Sequence, residues 1–123
     1  MSRIDHAIHV KTIFCDIDGC IFFHPGKLAI ATQKPVVLPG VKDKFCEWIR
    51  KGYTIILTTG RPESLRLITE QQLNEVDLHY HNLIMNLPRG QRVVINDVKL
   101  DRKGKTAACV NLKRNEGMTD VNI

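Results

Sequence analysis

The chain has 123 residues, of which 43% are hydrophobic and 25% are charged. This length fits one domain over residues 1–123, and it is large enough to bury an apolar core without disulfide bonds. No apolar run approaches the ~20 residues that span a bilayer, and polar residues interrupt the N-terminal segment MSRIDHAIHV, which argues against a signal peptide. We therefore expect a cytoplasmic protein with no membrane partner.

The charge of the chain indicates the kind of ligand it binds, and its cysteine content indicates the redox compartment. The net charge of +5 is spread along the chain rather than gathered in one block. A dispersed basic surface favours small anionic ligands and gives only weak support for nucleic acid. The four cysteines have no CxxC spacing, so free thiols are favoured over zinc ligands or disulfides, as in a reducing compartment.

The N-terminal part of the chain predicts a strand followed by a flap. Residues 11–17 are rich in β-branched and aromatic side chains, which is typical of a buried strand. Glycines and prolines exclude a helix between residues 19 and 39. Within that stretch we expect Ile21–His24 to pair with Val36–Leu38 as a short flap hairpin.

The middle of the chain predicts a helix, a strand and a second helix. Apolar residues at helical spacing indicate a helix that begins at Val41 and stops at Gly52. The segment YTIILTTG, residues 53–60, predicts a second buried strand. Pro62 then suits the first position of a second helix.

Three further strands are predicted in the C-terminal part, NLIMN (82–86), QRVVIND (91–97) and TAACVNL (106–112), followed by a polar tail over 113–123. The connection between the third and fourth strands is too short for a helical crossover, so either one strand is antiparallel or the third is very short. Alternating strands and helices imply a single three-layer, Rossmann-like, doubly wound α/β fold. Its sheet would be mainly parallel, with helices on both faces.

Polar side chains close three of the predicted strands. The first ends in DIDG (16–19), the second in TTGR (58–61), and the fourth in Asn96-Asp97 with Asp101 shortly after. The carboxyl ends of parallel strands meet at one mouth, where ligands of this fold class bind. Carboxylates held together in a half-buried site repel each other, so we expect a cation among them, and oxygen ligands favour Mg²⁺.

Taken in order, the segments FCDIDG, IILTTGRP and VVINDVKLD resemble the signature motifs of the haloacid dehalogenase (HAD) superfamily of phosphohydrolases. The resemblance runs from about residue 11 to residue 112. It implies a HAD-like hydrolase domain and a Mg²⁺-dependent phosphatase. Because the flap, the first helix and the second strand fill the chain between Asp18 and Thr58, the resemblance is to small members without a cap domain (C0 type).

The resemblance also implies a role for each matching residue in the first two motifs. Asp16 would be the nucleophile and a metal ligand. Asp18 would be the general acid and then base, with its backbone carbonyl on the metal. Thr59 and Gly60 would bind the oxygens of the transferring phosphoryl group.

The fourth-strand motif would complete the site. Asp97 would be a metal ligand, and Asp101 and Asn96 would lie in the outer shell of the metal. The family also uses a lysine or arginine that neutralises the phosphate, and two residues are candidates for that phosphate-binding role. Lys99 is slightly favoured because it follows Asp97 closely, while Arg89 lies in the connection before the fourth strand.

Other polar residues have a structural alternative beside a functional one. Arg61 suits contact with phosphate and a structural hydrogen bond about equally. For His24, at the tip of the flap, an exposed loop histidine is favoured over a substrate contact. The pair His79 and His81 favours a solvated turn over a metal site, because no third ligand is near in sequence.

Three functions remain open from the sequence. The first is a Mg²⁺-dependent phosphomonoesterase that forms an aspartyl-phosphate and acts on a small phosphorylated metabolite, such as a sugar phosphate or a nucleotide. The second is a polynucleotide-end phosphatase, suggested by the basic charge and the open mouth but not favoured. The third is a non-catalytic HAD-like or phosphoacceptor regulatory domain. A second copy of the chain would close the open mouth, which makes a homo-oligomer an alternative to a monomer.

Overall fold

A computed structural model describes residues 10–30, 32–99 and 105–123 of the chain. Its elements, in chain order, are β1 (Thr12–Asp16), α1 (Val41–Arg50), β2 (Thr54–Thr58), a 3₁₀ helix (Glu63–Leu65), α2 (Arg66–Glu75) and β3 (Asn82–Ile84). The strands form one sheet in the order β1-β2-β3, and both neighbouring pairs are parallel. None of the helices in these ranges is long and apolar enough to cross a membrane.

The register of the sheet brings the carboxyl ends of its strands together. Asp16, the last residue of β1, lies opposite Thr58, the last residue of β2, and Thr58 lies opposite Ile84 of β3. The third predicted strand is confirmed: it is parallel and only three residues long. This short parallel strand settles the direction that the sequence left open.

One face of the sheet carries the hydrophobic core. Cys15, Leu57 and Leu83 are neighbours in register on this face, and all three are buried. Both helices add buried side chains to the same cluster, namely Val41, Phe45 and Trp48 from α1 and Leu73 from α2. The core therefore lies between the sheet and these two helices.

The opposite face of the sheet is open in the part of the chain that the structure describes. Phe14 is 60% exposed and Ile84 is 39% exposed, and Thr12 and Asp16 of β1 are exposed on the same side as Phe14. The parallel α/β architecture is confirmed, but the expectation of helices on both faces is wrong for the described residues. The physical reason is that β1 alternates between core and solvent, as a strand with one solvated face does.

Helix α1 follows the predicted pattern. Val41, Phe45 and Trp48 lie four and three residues apart, which places them on one face of a helix. Gly40 precedes the helix and Gly52 follows it, and both have a positive φ (78° and 77°), a conformation that glycine adopts without steric cost. The predicted start at Val41 and stop at Gly52 are confirmed.

The flap is also confirmed as a short antiparallel pairing. Phe22 and Val37 form an isolated antiparallel bridge. On either side of it, the Phe23 amide donates to the Val36 carbonyl at 2.8 Å and the Leu38 amide donates to the Ile21 carbonyl at 2.9 Å. Because Ile21 and Phe22 are fully buried, the flap is fixed to the core at its base.

The fourth predicted strand, residues 91–97, is wrong, because this segment has no regular structure. Its apolar side chains face solvent: Val93 is 72% exposed and Ile95 is 92% exposed. Arg92 donates through Nη1 to two carbonyls of the preceding loop, at 2.9 and 3.1 Å. An apolar run forms a strand only where a neighbouring strand supplies hydrogen-bond partners, and here the contacts that form are local.

The C-terminal segment differs from both predictions made for it. Residues 106–112 do not form a fifth strand, and Val110 is 52% exposed. Residues 113–123 are not a solvated tail, since Met118 is 2% exposed and belongs to the core. The Met118 amide donates to the Pro39 carbonyl at 2.8 Å. A single apolar residue within a polar segment gives no periodic signal, which is why the sequence did not predict this docking.

Candidate active site

Asp16 stands at the carboxyl end of β1, where the register sets it beside Thr58. Its side chain reaches solvent, yet surrounding atoms desolvate the carboxylate enough to raise its pKa. A hydrogen bond from the Ile17 backbone lowers the pKa of Asp16, the negative charge of Asp18 raises it, and the positive charges of Arg92 and Arg114 lower it to a smaller extent. Burial is the largest of these effects. Asp16 is thus a carboxylate with a like charge on one side and two cations within range.

The turn after Asp16 explains how Asp18 is positioned. The Ile17 carbonyl accepts hydrogen bonds from the amides of Cys20, Ile21 and Phe22, which closes a tight loop. Gly19 has a φ of 90° within this loop, and a side chain would be strained there. The glycine therefore lets the chain turn sharply directly after the two acids.

Asp18 forms a two-pronged ion pair with Arg61. Arg61 Nε donates to Asp18 Oδ2 and Nη2 donates to Oδ1, both at 2.8 Å. The remaining Arg61 nitrogen, Nη1, donates to Thr69 Oγ1 at 2.9 Å and to Gln72 Oε1 at 2.6 Å. Arg61 is 3% exposed. Each of its guanidinium nitrogens donates to a protein partner. Arg61 therefore forms structural hydrogen bonds, which is one of the two roles that the sequence left open.

The same network extends to the loop that connects the two segments of the flap. Gln72 Nε2 donates to the Ile30 carbonyl at 3.1 Å. A surface pocket lies between these parts, and its lining includes Asp18, Phe22, Arg61 and Gln72. The connecting loop of the flap is thus linked to Asp18 through the buried side chains of Arg61 and Gln72.

Thr59 links the end of β2 to the end of β3 and the chain after it, and the adjacent Gly60 is exposed. Thr59 is 1% exposed, its amide donates to the Ile84 carbonyl at 3.0 Å, and its carbonyl accepts from the Leu87 amide at 3.1 Å. Its hydroxyl oxygen accepts from the Arg61 amide at 3.1 Å. The hydroxyl beside Asp16 in register is that of Thr58. The resemblance gave the phosphate-binding role to Thr59, which lies one residue beyond the position that pairs with Asp16.

Asp97 and Lys99 do not join Asp16 and Asp18 in this structure. Lys99 Nζ lies 2.8 Å from Asp97 Oδ1, and the two side chains are 50% and 70% exposed. Asn96 donates to the Thr106 carbonyl at 3.4 Å, a contact within the C-terminal part. Arg89 is exposed, and Asp101 lies outside the described residues.

The predicted metal site is present only by donor type. Within residues 10–30, 32–99 and 105–123, no group of three or more histidine, cysteine, aspartate or glutamate side chains is arranged to hold a metal ion. The Asp16 carboxylate and the backbone carbonyl of Asp18 are oxygen donors of the kind that Mg²⁺ binds. Burial and the charge of Asp18 raise the pKa of Asp16 because they destabilise its ionised carboxylate. A bound cation would stabilise that carboxylate. The Mg²⁺ site stays a prediction.

Sequence reasoning missed the two cations that act on Asp16. Arg92 is the second residue of the predicted fourth strand, and Arg114 lies in the segment predicted to be a polar tail. Neither belongs to a motif with recognisable spacing, so only the folded arrangement brings them to Asp16. A net charge of +5 spread over the chain gave no indication of which cations would lie there.

The histidines have structural contacts in the described residues. His81 Nδ1 accepts from the Ile55 amide at 2.9 Å, and His24 Nδ1 accepts from the Gly26 amide at 3.1 Å. His81 is exposed, in agreement with the solvated turn predicted for it, whereas His24 is half-buried and not the exposed loop histidine that was favoured.

Two solved structures are similar to this chain. A chain of the Pnkp1/Rnl/Hen1 complex has a TM-score of 0.56 and 26% sequence identity, over 68% of this chain and 30% of that chain. A chain of the Pnkp1/Rnl/Hen1 RNA repair complex has a TM-score of 0.55 and 24% identity, over 76% of this chain and 28% of that chain. No family model matches the sequence, and no curated protein matches it either. The likeness supports the α/β fold, and this chain spans less than a third of each chain it resembles.

Proposed function

We propose that the protein is a Mg²⁺-dependent phosphomonoesterase that works through a phosphorylated Asp16. The observation that carries the proposal is the setting of Asp16, which ends β1 beside a threonine, close to a second acid and within range of two arginines. The resemblance of the DIDG and TTGR segments to HAD phosphohydrolase motifs supports the same assignment. Carboxylates serve as phosphoryl acceptors when nearby positive charge offsets their repulsion from phosphate.

The proposed reaction has two steps. In the first, an oxygen of Asp16 bonds to phosphorus while the ester P–O bond breaks, and the leaving alkoxide takes a proton from the Asp18 carboxyl group. In the second, water attacks the phosphorus of the aspartyl-phosphate and gives a proton to Asp18. The bond between Asp16 and phosphorus breaks, and inorganic phosphate leaves.

Asp16 and the backbone carbonyl of Asp18 would hold the Mg²⁺ ion, and Asp97 would join them only after residues 91–99 move. When bound, the ion supplies positive charge that reduces the repulsion between the carboxylate and the phosphate. Proton delivery by Asp18 requires its carboxyl group to turn away from Arg61, since both of its oxygens accept from that guanidinium. The Arg61 contact then defines the resting position of the acid.

We propose a polynucleotide end as the substrate in preference to a small metabolite. One of the similar structures is an RNA repair complex, and a polynucleotide end is one of the substrates that the sequence left open. The open face beside Asp16 leaves room for a long chain. A small phosphorylated metabolite is the competing outcome of the test below.

The test measures phosphate release from an aryl phosphate, with and without Mg²⁺. Asp16→Asn should lower the rate by at least about a thousandfold, because the nucleophile is lost. Asp43→Asn, an exposed acid in the first turn of α1, is the matched control and should retain the wild-type rate. Equal rates for Asp16→Asn and the wild type would refute the nucleophile assignment.

The second arm compares substrates for the wild-type protein. We expect an oligonucleotide with a terminal phosphate to have a higher kcat/KM than sugar phosphates or mononucleotides. Its KM should also rise steeply with salt, as contacts to a phosphate backbone require. A higher kcat/KM for a small metabolite, with little dependence on salt, would assign the substrate to that class instead.

A further inference from the structure

The C-terminal segment is fastened to the turn that carries the two acids. The Asn115 amide donates to the Gly19 carbonyl at 2.9 Å. The Asn115 side chain accepts from the His24 amide at 2.7 Å and donates to the His24 carbonyl at 3.3 Å. Asn115 has a φ of 65°, a conformation that asparagine tolerates better than most residues. One residue thus joins the C-terminal segment to both the turn after Asp16 and the flap.

This fastening lays the side chain of Arg114 across Gly19. A Cβ atom placed on Gly19 would lie 3.1 Å from Arg114 Cγ and 3.8 Å from Nε. The absence of a side chain at Gly19 therefore leaves the space that the stem of Arg114 occupies. Arg114 is exposed, and its stem lies against the turn that follows Asp16 and Asp18.

Three other cations already have partners within the described residues. Arg61 donates to Asp18, Thr69 and Gln72, and Lys99 is paired with Asp97. Arg92 donates to two carbonyls of its own loop. Within residues 10–30, 32–99 and 105–123, Arg114 forms no salt bridge, so its guanidinium is available to an anion that comes to Asp16.

We propose that Arg114 binds the non-bridging oxygens of the phosphoryl group that is transferred to Asp16. This inference rests on the function proposed above and moves the phosphate-binding cation from Lys99 or Arg89 to the C-terminal segment. A guanidinium offers two parallel donors to phosphate, which binds it and fixes its orientation. The geometry also makes the C-terminal segment part of the active site, because Asn115 holds Arg114 against the turn.

The experiment compares Arg114→Met and Arg114→Lys with Lys113→Met, which removes an exposed charge from the adjacent position. Binding of inorganic phosphate is measured by calorimetry, and kcat/KM is measured with an aryl phosphate. We expect Arg114→Met to weaken phosphate binding by about tenfold or more and to lower kcat/KM by about a hundredfold. Arg114→Lys should recover part of each, and Lys113→Met should stay within about twofold of wild type.

The outcomes separate this inference from the proposed function. If Asp16→Asn is inactive but Arg114→Met behaves like Lys113→Met, the function holds and the role of Arg114 is wrong. If the wild type releases no phosphate yet binds it through Arg114, the anion site holds and the phosphatase is wrong. Loss of binding in Arg92→Met, with Arg114→Met unchanged, would assign the site to Arg92 instead. Should Arg114→Met fail to fold, Arg114→Lys decides: phosphate binding equal to that of Lys113→Met would overturn the inference.

Discussion

Strand β2, which lies before Pro88, and residues 91–97, which lie after it, differ in the exposure of their apolar side chains. Ile55 and Leu57 in β2 are fully buried, whereas Val93 and Ile95 are 72% and 92% exposed. Both runs have the composition of a buried strand, but only the first has a parallel neighbour on each side. The difference teaches that an apolar run gives a segment the capacity to form a strand, while the neighbouring strand decides whether it does.

The C-terminal segment is attached to the core in a different way from the strands. Residues 113–123 contain no helix or strand, yet Met118 is buried and Asn115 is bonded to the turn after Asp16. The segment is held by a few specific contacts rather than by repeated ones. The acids therefore depend on two kinds of support: the sheet beneath them and an irregular segment beside them.

The largest expected effect tests the support within the part of the chain before Pro88. Arg61→Met should lower the free energy of unfolding by about 3 kcal/mol, because it leaves the carboxylate of Asp18 in a nearly buried site without its partner. The side chains of Arg61 and Asp18 are 2% and 12% exposed. The measurement is urea unfolding, with Arg50→Met, an exposed arginine of α1, as the control. A loss no greater than that of the control would mean that the ion pair is not formed in solution.

The next effect tests whether the C-terminal segment is part of the folded unit. Met118→Ala should lower the free energy of unfolding by about 2 kcal/mol, the lower end for truncating a buried methionine. The exposed Asn122→Ala is its control. If the two variants have equal midpoints in urea, the segment is not docked and Arg114 loses its support.

The sequence predicted those parts of the fold whose signals are local. The helix from Val41, the flap, the two long strands and the pairing of acids with threonines at one sheet edge all follow from spacing and turn residues. What it could not predict depends on contacts between distant parts of the chain. The partner of Arg61 and the docking of Met118 and Arg114 are of this kind, because no periodic pattern records them.

The reactivity of the four cysteine thiols should show a smaller effect, because the thiols differ in burial and in nearby charge. Burial, and next the charge of Asp16, raise the pKa of Cys20 to about 11, while Arg114 lowers it. The high pKa reduces the fraction of Cys20 that is thiolate at pH 8, but a more basic thiolate is also a better nucleophile, which offsets part of that loss. Cys20 should therefore react with a disulfide reagent about tenfold more slowly than an ordinary accessible thiol. Cys46 and Cys109 are exposed and should react first with an aromatic disulfide reagent, and the buried Cys15 last.

The same assay examines the position of Arg114 without any substrate. Arg114→Met removes a charge that favours the Cys20 thiolate, so Cys20 should react more slowly in this variant than in Lys113→Met. Mass spectrometry of partly modified protein assigns each rate to its cysteine. An unchanged Cys20 rate would place Arg114 away from the turn.

The smallest expected effect concerns the exposed segment after Pro88. Asp97 and Lys99 form an exposed ion pair, and such pairs contribute about 0–1 kcal/mol because water screens them and long side chains lose freedom. Lys99→Met should therefore change the free energy of unfolding by less than about 0.5 kcal/mol. Phosphate binding should stay at the wild-type level if Arg114 provides the cation. A large loss of phosphate binding would mean that residues 91–99 lie close to Asp16 in solution. Lys99 would then be the phosphate-binding cation, and residues 91–97 would pair with the sheet.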